Sequence, residues 1–371
     1  MFTKQQITLL LLLILFSLFA CGLWAVEVAT EQPRASVSTR ALSPFPRVGP
    51  YEVLCGDFHI HTKHSDGGMS PDGRVLEAWQ HGLDAIAITD HGKTLAYKEA
   101  LPTAKALGVI LLTGFETGLN KQEHLVVLGA SENYQPRDSH RWAELPGQDR
   151  AFYQNELRDI AKSGGVVIYA HPHVGMREPA RWGIDQGIIR GIEVMNGVVG
   201  EGWNTIESHG TWCYPNGFDW ALEHNLGVFA NSDLHGARAG RPPVTTLVLV
   251  KQRTASGVID AIRNRRTIAW FNDMLWGPSK LLSELMGSLV KVRSALGEGG
   301  ETLLQVENRG PVPLKVTLPN EWKIAPGVEI APYRVVLAKC ENPPDKLTIR
   351  WDNLWVSPKE NLVTTHPLGA K

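Results

Sequence analysis

The feature that most constrains the fold is the regular alternation of short apolar runs and helix-like segments between residues 51 and 266. Between the first two apolar runs lies SPDGRVLEAWQHG, in which Ser70 can cap a helix, Pro71 starts it and Gly82 ends it. Strands that alternate with helices indicate parallel βαβ units. The number of such units exceeds that of a small open sheet and favours a barrel.

After Trp276 the sequence pattern changes. Segments such as ETLLQVENRG, LKVTLPN, YRVVLAKC and KLTIRWDN are strand-like and separated by Pro, Gly and Asn. This pattern is typical of a small antiparallel β-sandwich. We therefore predict an α/β chain with a barrel domain at residues 51–277 and a small all-β domain at residues 288–371.

The N-terminus has a different character. Ile7–Val26 is an uncharged apolar run that follows Lys4, a pattern shared by signal peptides and membrane anchors. Residues 27–50 are rich in Pro, Ser and Thr, as expected for a linker. We expect residues 1–26 to be a signal peptide or a membrane anchor.

The sequence LFAC, which ends at Cys21, is similar to the lipobox of bacterial lipoproteins, although Phe19 is bulkier than the residue usual there. We therefore expect an exported protein, periplasmic or otherwise extracytoplasmic. It would be tethered to the membrane by a lipidated Cys21 or by an uncleaved N-terminal anchor, with ordinary cleavage as the alternative.

Composition narrows the function only slightly. Hydrophobic residues make up 43%, charged residues 20%, and the net charge is -1, which is ordinary for a globular protein. There is no sign of a basic nucleic-acid-binding stripe or an acidic tail, although a local patch is compatible with a balanced total. The 4 cysteines form no CxxC motif and are best interpreted as small buried hydrophobes, with a disulfide left open.

Metal-ligand side chains recur where the predicted strands end. His59 and His61 are two residues apart on a strand and so project to the same face, and Asp233 and His235 repeat this spacing. Further candidates follow other strands in TDH, GFET and AHPH. In a parallel barrel all strand carboxyl ends share one rim. Because separate core histidines would each need their own hydrogen-bond partners, a metal site is the favoured interpretation, with Zn, Mn or Fe suiting mixed ligands better than Ca.

These segments resemble, in order, the motifs of the PHP (polymerase and histidinol phosphatase) family: HIHTKHSDG, AITDHG, GFET, EHLVVLG, AHPH and NSDLHG, within residues 55–236. The resemblance implies a distorted (β/α)7 TIM-like barrel with up to three metal ions at its rim. The sequence is most similar to the branch with the HxHTxxSDG motif, whose members hydrolyse phosphoesters, including nucleotide substrates. We expect no polymerase domain.

The resemblance implies two or three divalent ions held by a common set of ligands: His59, His61, Asp66, His91, Glu116, His124, His171, Asp233 and His235. Within this set, His59, His61 and Asp233 would bind one ion. Glu116 would bridge this ion to a second one.

The second ion would also be bound by His124 and His171, and a third by Asp66, His91 and His235. For His124 the alternative is an exposed surface histidine. His64 and His173 lie beside ligands, and we expect them to be solvent-exposed or to contact the ligands from behind.

The implied chemistry is hydrolysis of a phosphate monoester or diester, including nucleotide-derived esters. Closely spaced divalent ions lower the pKa of a bridging water, and the resulting hydroxide would attack phosphorus in line. The sequence has no GxSxG and no Walker motif that would indicate a different mechanism. Asp90 and His173 are candidates for proton transfer. Arg238, Arg241 and Lys93 are candidates for binding the substrate phosphate, with solvated loop charges as the alternative.

Two other functions stay open. One is an exported, non-catalytic metal-binding scaffold, and the other is a metal hydrolase acting on a non-phosphate ester or amide bond. The expected partners are a small phosphorylated substrate or a short oligonucleotide, and the membrane through the N-terminal segment. The sequence leaves open the substrate, the metal and the oligomeric state.

Overall fold

The structure is a computed structural model that describes residues 40, 44–118, 123–136, 150–173, 175–198, 213–238 and 244–368. The expected signal peptide or anchor at residues 1–26 with Cys21, most of the linker at 27–50, and Arg241 lie outside the described residues. Within the described ranges, none of the helices has the length and apolar character needed to cross a membrane.

The helices of the described residues are α1 (Pro71–Gln80), α2 (Leu95–Leu107), α3 (Arg150–Lys162), α4 (Glu178–Asp185), α5 (Pro215–Glu223), α6 (Ala255–Arg263) and α7 (Ser279–Leu289), with a 3-10 turn at Asn320–Trp322. The strands of the α/β part are β1 (Glu52–Asp57), β2 (Ala85–Ala87), β3 (Ile110–Leu112), β4 (Gly114–Gly118), β5 (His124–Leu128), β6 (Val166–Ala170), β7 (Ile189–Asn196), β8 (Gly227–Asn231), β9 (Val244–Val250), β10 (Thr267–Phe271) and β11 (Met274–Trp276). The C-terminal strands are β12 (Val290–Leu296), β13 (Thr302–Asn308), β14 (Leu314–Thr317), β15 (Val328–Ile330), β16 (Val335–Cys340), β17 (Lys346–Ser357) and β18 (Glu360–Pro367).

Helix α1 shows how the sequence sets these bounds. The Ser70 hydroxyl accepts a hydrogen bond from the backbone N–H of Gly73 at 3.2 Å, and Pro71 occupies the first turn, as predicted. The chain leaves the helix through Gly82, whose φ of +79° is available to glycine without strain. The helix thereby returns the chain to β2.

Two sheets build the α/β part. One has the order β4–β5–β6–β7–β8, and the other runs β15–β14–β17–β11–β10–β9–β1–β2–β3, with β18 paired to β17. β1, β2 and β3 are parallel, and so are β6, β7 and β8. β5, however, is antiparallel to both β4 and β6. The prediction of parallel units was therefore wrong for β5, because the connection of residues 119–123 is too short for a crossover helix. It was also wrong for β9, which is antiparallel to β1 and β10.

The mixed α/β class is confirmed, but the described strands do not form a continuously hydrogen-bonded barrel. Instead, isolated parallel bridges join the segments after β1 and β2 of the large sheet to the two edges of the five-stranded sheet, at β8 and β4. One bridge pairs His91 with Glu116, and the other pairs Ile60 with Leu234. Three of the four bridging residues follow a strand end, whereas Glu116 lies within β4.

The C-terminal strands continue the large sheet. β17 pairs in parallel with β11, with Trp276 opposite Trp355, and residues 40–371 form one compact unit. The sheet β12–β13–β16 shares a core with β14 and β17, to which Leu304 and Ile349 contribute, as expected for a sandwich. The predicted division between residues 277 and 288 therefore does not coincide with a break in the sheet.

The three cysteines within the described residues lie in the core, as predicted. Cys55, Cys213 and Cys340 are buried. They pack as small apolar side chains within the hydrophobic core.

Asn353 supports the connection between the two parts. Its buried side-chain amide donates to the carbonyl oxygens of Asp273 and, at 2.8 Å, Pro313, and accepts from the N–H of Lys315 at 2.9 Å. We expect Asn353→Ala to lower the free energy of unfolding by about 1–3 kcal/mol, because buried backbone groups lose their partners. Chemical denaturation measures this, and one cooperative transition is expected.

The control is Asn264→Ala, which removes exposed hydrogen bonds to Asp260 only. A separate transition for the C-terminal strands, shifted alone by Asn353→Ala, would show that the two parts unfold independently.

Candidate metal centre

The structure brings every predicted ligand to one rim. Each of the imidazoles lies within 3.6 Å of a carboxylate oxygen of Glu116, Asp233 or Asp66. These three acids come from three different parts of the chain: β4, the segment after β8 and the segment after β1. The site is therefore a single cluster built from distant segments.

Glu116 is the centre of this cluster. It is almost completely buried, and its two oxygens contact five imidazoles: His124 Nδ1 at 2.7 Å, His91 Nδ1 at 3.1 Å, and His171 Nε2, His59 Nε2 and His61 Nε2 at 3.3 Å each. Because imidazole nitrogens lie beside both of its oxygens, Glu116 could contribute to holding more than one ion.

The other two carboxylates serve separate groups. Asp233 Oδ1 lies 3.3 Å from His59 Nε2 and 3.1 Å from His61 Nε2. Asp66 Oδ2 lies 3.3 Å from His91 Nε2 and 3.2 Å from His235 Nε2. Three groups of side chains are thereby able to hold a metal ion: His59–His61–Asp233, His59–Glu116–His171 and His61–Asp66–His91–His235. Their composition differs from the ligand set expected from sequence in two ways: His61 also joins the outer group, His61–Asp66–His91–His235, and His59 rather than His124 stands with Glu116 and His171. The other two groups are called the inner groups.

His124 reaches the rim because of the direction of β5. It is the first residue of that strand, and β5 is antiparallel to its neighbours, so its start lies where the other strands end. The side chain is buried and contacts Glu116 rather than projecting into solvent. The surface-histidine alternative is therefore excluded.

The cluster fits a bound cation. Four of its buried atoms have no hydrogen-bond partner among the described residues: His59 Nε2, His61 Nε2, His171 Nδ1 and Asp233 Oδ1. Buried polar atoms in proteins are normally hydrogen-bonded, and ligand atoms of imidazole and carboxylate type suit Zn, Mn or Fe. His59, His61 and Asp233, which carry three of these four atoms, form one of the groups that can hold an ion.

The electrostatics point the same way. Burial alone would lower the pKa of His59, but the carboxylates of Asp233 and Glu116 hold it well above its usual value. The same opposition raises the pKa of His61 to about 9. Burial would raise the pKa of Glu116, yet the neighbouring imidazoles hold it well below its usual value. The buried carboxylates thus require positive charge beside them, which protons or metal ions can supply.

Two ligands have a strained backbone. His171 and Asp233 have φ values of +21° and +50°, a region that side chains other than glycine rarely adopt. Such strain persists only where the surroundings impose it, and it is concentrated at functional sites. The strand ends are therefore held in the geometry that points these side chains into the cluster.

Asp90, one candidate for proton transfer, holds a loop. Its Oδ1 accepts hydrogen bonds from the Thr62 N–H and the Ser65 hydroxyl, both at 2.7 Å, and its Oδ2 accepts from the Thr62 hydroxyl at 2.6 Å. Because both oxygens are engaged within the protein, Asp90 is placed to fix the loop that carries Asp66.

The other candidates occupy different environments. Arg238 is buried, and its guanidinium contacts Asp57 and the Ser232 hydroxyl, so it is not available to clamp a phosphate at the rim. Lys93 is exposed and donates to the carbonyl oxygen of His64 beside the outer group. His173 Nδ1 lies 2.7 Å from the carbonyl oxygen of His171, and its role in proton transfer stays a prediction.

Sequence reasoning missed the side chains that support the ligands. Arg74 is buried in α1 and donates to the carbonyl oxygens of His61, Leu234 and His235, each at 2.9 Å. Glu193 contacts His59. The signals were Arg74, a charged residue beside the buried Val75 and Ala78 of α1, and Glu193, an acidic residue in the otherwise uncharged segment GIEVMN.

Residues 57–153 match the PHP domain family. This segment of the chain is similar to the PHP domain. The matched segment contains the first six predicted ligands, so the family resemblance that their motifs indicated is confirmed.

Two relatives of known description are similar to this chain. A two-domain protein from Bacteroides vulgatus ATCC 8482, which contains a predicted PHP-like metal-dependent phosphoesterase, superposes with a TM-score of 0.74 at 24% identity over 89% of this chain and 99% of that one. This likeness establishes the fold. A 5'-3' exoribonuclease of Haemophilus influenzae (strain ATCC 51907 / DSM 11121 / KW20 / Rd) is 38% identical over 64 residues, which are 17% of this chain and 23% of the exoribonuclease. The match thus spans less than a quarter of that enzyme.

Gly67 follows Asp66 at a point of close approach. A Cβ added to Gly67 would lie 2.4 Å from the carbonyl carbon and oxygen of His61. We expect Gly67→Ala to displace Asp66 from His91 and His235, to remove the outer metal ion and to cost about 1–3 kcal/mol of stability. Elemental analysis and thermal unfolding measure the two effects.

The neighbouring glycine is the matched control. A Cβ on Gly68 would meet only the carbonyl oxygen of His235 at 3.6 Å, an ordinary contact. Gly68→Ala should keep the full metal content. The same metal content in Gly67→Ala would contradict the role given to the close approach.

Proposed function

We propose that the protein is a metal-dependent phosphoesterase. The observation that carries the proposal is the convergence of six imidazoles and three carboxylates, with buried ligand atoms that have no partner among the described residues. The PHP domain match and the phosphoesterase description of the Bacteroides vulgatus relative support the same reaction class. Bound divalent ions would polarise the phosphoryl oxygens and lower the pKa of a bound water.

The side chains of the cluster set the direction from which a substrate approaches. His59 and His61 are completely buried, whereas the side chains of His235 and Asp66 are 32% and 52% exposed. The cluster is therefore open on the side of the outer group. A phosphate group reaching the ligands would arrive there, where Lys93 is also exposed.

Lys93 is suited to bind an anionic substrate. Its ammonium group donates one hydrogen bond to the carbonyl oxygen of His64, and its other N–H groups can bind a further partner. His64 in turn contacts Glu99 through Nε2 at 3.0 Å, which fixes the loop behind it. Lys93 would thus hold the phosphate beside the ligands and orient the ester bond toward them.

For the substrate we propose a small phosphorylated compound or a short oligonucleotide. The similarity to an exoribonuclease supports including ribonucleotide diesters among the candidates.

Export and tethering through the N-terminal segment are part of the proposal, carried by the sequence pattern of residues 1–26. A metal hydrolase acting on an amide or a non-phosphate ester uses the same ligand types, and a non-catalytic metal-binding module would hold ions without turnover.

Metal content and turnover should depend on the same side chains. The protein incubated with Mn²⁺ or Zn²⁺ should hold two or three ions and hydrolyse phosphate monoesters or diesters. We expect His59→Ala/Asp233→Ala to lose ions, because the change removes ligands of the inner groups, and to lower kcat at least about a thousandfold. Elemental analysis and phosphate release measure the two effects.

His224→Ala is the control, since this histidine follows α5 and belongs to none of the three groups. Bound ions with no turnover of any phosphoester, but with turnover of an amide or carboxylic ester, would favour the other hydrolase. Absence of bound ions in the unmodified protein would overturn the proposal.

Phosphate binding should depend on Lys93. Lys93→Ala should raise KM for a phosphoester by about three- to tenfold, as expected for one exposed charged contact, with a smaller change in kcat. Steady-state kinetics at low ionic strength measure this. Lys98→Ala, which removes the same charge from an exposed position on α2, should leave KM unchanged, and equal KM values for both variants would refute the role of Lys93.

A further inference from the structure

Glu193 is an acidic residue in the buried interior of the protein. It lies in the middle of β7 between Ile192 and Val194, and all three residues are completely buried. An ionised carboxylate in such surroundings is strongly disfavoured unless its oxygens accept hydrogen bonds. Its contacts therefore show what the structure uses it for.

Glu193 accepts from four donors, two on each oxygen: His59 Nδ1 and Asn231 Nδ2 on Oε1, both at 2.9 Å, and the His171 N–H at 2.7 Å and Asn196 Nδ2 at 2.9 Å on Oε2. Asn231 is the last residue of β8, His171 follows β6, and His59 follows β1. One side chain thus connects the ends of three ligand-bearing strands.

The contact with His59 determines which ring nitrogen faces the cluster. Because an ionised carboxylate only accepts, Nδ1 of His59 must carry the hydrogen. In the neutral ring, Nε2 then has a free electron pair, and it lies 3.3 Å from oxygens of both Glu116 and Asp233. Carboxylates that contact ligand histidines in this way fix the tautomer and the ring orientation.

The contact with the His171 N–H acts on the backbone. His171 has a φ of +21°, which is unfavourable for a residue with a side chain. The hydrogen bond from its N–H to Glu193 at 2.7 Å holds this conformation. The ring of His171 is thereby directed at Glu116, with Nε2 at 3.3 Å from Oε1.

We infer that Glu193 is the positioning residue of the two inner metal groups, and this inference rests on the metal site of the proposed function. It orients His59 through the ring and His171 through the backbone. The outer group of His61, Asp66, His91 and His235 has no contact with Glu193 among those described. Loss of Glu193 should therefore act on the inner ions and spare the outer one.

Glutamine is the sharpest test because it is isosteric. Its NH₂ group would face two of the four donors, and two hydrogen bonds would be replaced by opposed N–H groups. We expect Glu193→Gln to weaken binding of the inner ions about 10- to 100-fold, as for other residues that orient metal ligands. The outer ion should bind as in the unmodified protein.

The experiment measures Zn²⁺ binding by competition with a chromogenic chelator, and the visible spectrum of the Co²⁺-loaded protein. Glu193→Gln is compared with the unmodified protein and with Thr246→Val. Thr246 is buried, and its hydroxyl donates to the carbonyl oxygen of Ala230 at 2.9 Å. The hydroxyl also lies 3.5 Å from Asn231 Oδ1, so this control tests whether a small disturbance near Asn231 is enough without loss of the Glu193 carboxylate. Thermal unfolding of the metal-free proteins shows how much each change costs in stability alone.

Selective weakening of the inner ions in Glu193→Gln, with a changed Co²⁺ spectrum and normal binding in Thr246→Val, supports the inference. Unchanged affinities and spectrum, or equal losses in both variants, overturn it. If Glu193→Gln does not fold, Glu193→Asp, which keeps the charge but is shorter, should show the same selective weakening, and normal binding by it overturns the inference. Absence of ions in the unmodified protein overturns the proposed function as well.

Discussion

The burial of the Glu116 carboxylate among imidazoles is the interaction on which the rest of the structure depends. Glu116 lies at an isolated bridge between the two sheets, opposite His91. A negative charge at this depth is tolerated only if positive groups surround it. The strand ends that carry the histidines must therefore all place positive groups beside this one carboxylate. Positions that look independent along the chain share this one centre.

Much of this site was predictable from sequence because its signals are local. The i, i+2 spacing of His59 and His61 needs only a strand to place both rings on one face. The rule that parallel strands end at one rim then brings distant residues together. For His124 this rule is insufficient, since the residue starts its strand. The direction of β5 depends on the short connection before it, and a pattern of apolar runs does not encode strand direction.

The remaining errors and omissions have a different cause. Arg238 follows the last ligands in the sequence and was therefore predicted to bind phosphate. In the structure its guanidinium contacts the buried carboxylate of Asp57 instead. Arg74 and Glu193 act through contacts with residues far along the chain. The pairing of β17 with β11 is equally non-local. Such partners are set by the packing of the whole chain, which the local periodicity of any one segment does not contain.

The reversal of β5 has a consequence for how this protein can change during evolution. After most ligand-bearing strands, the chain leaves the site, and insertions there can alter the surroundings without moving a ligand. The connection between β4 and β5 is different, because Glu116 and His124 lie on either side of it and contact each other at 2.7 Å. Its length is therefore constrained from both ends. Among relatives, variation in loop length should be concentrated elsewhere on the rim, and this one short connection should keep its number of residues.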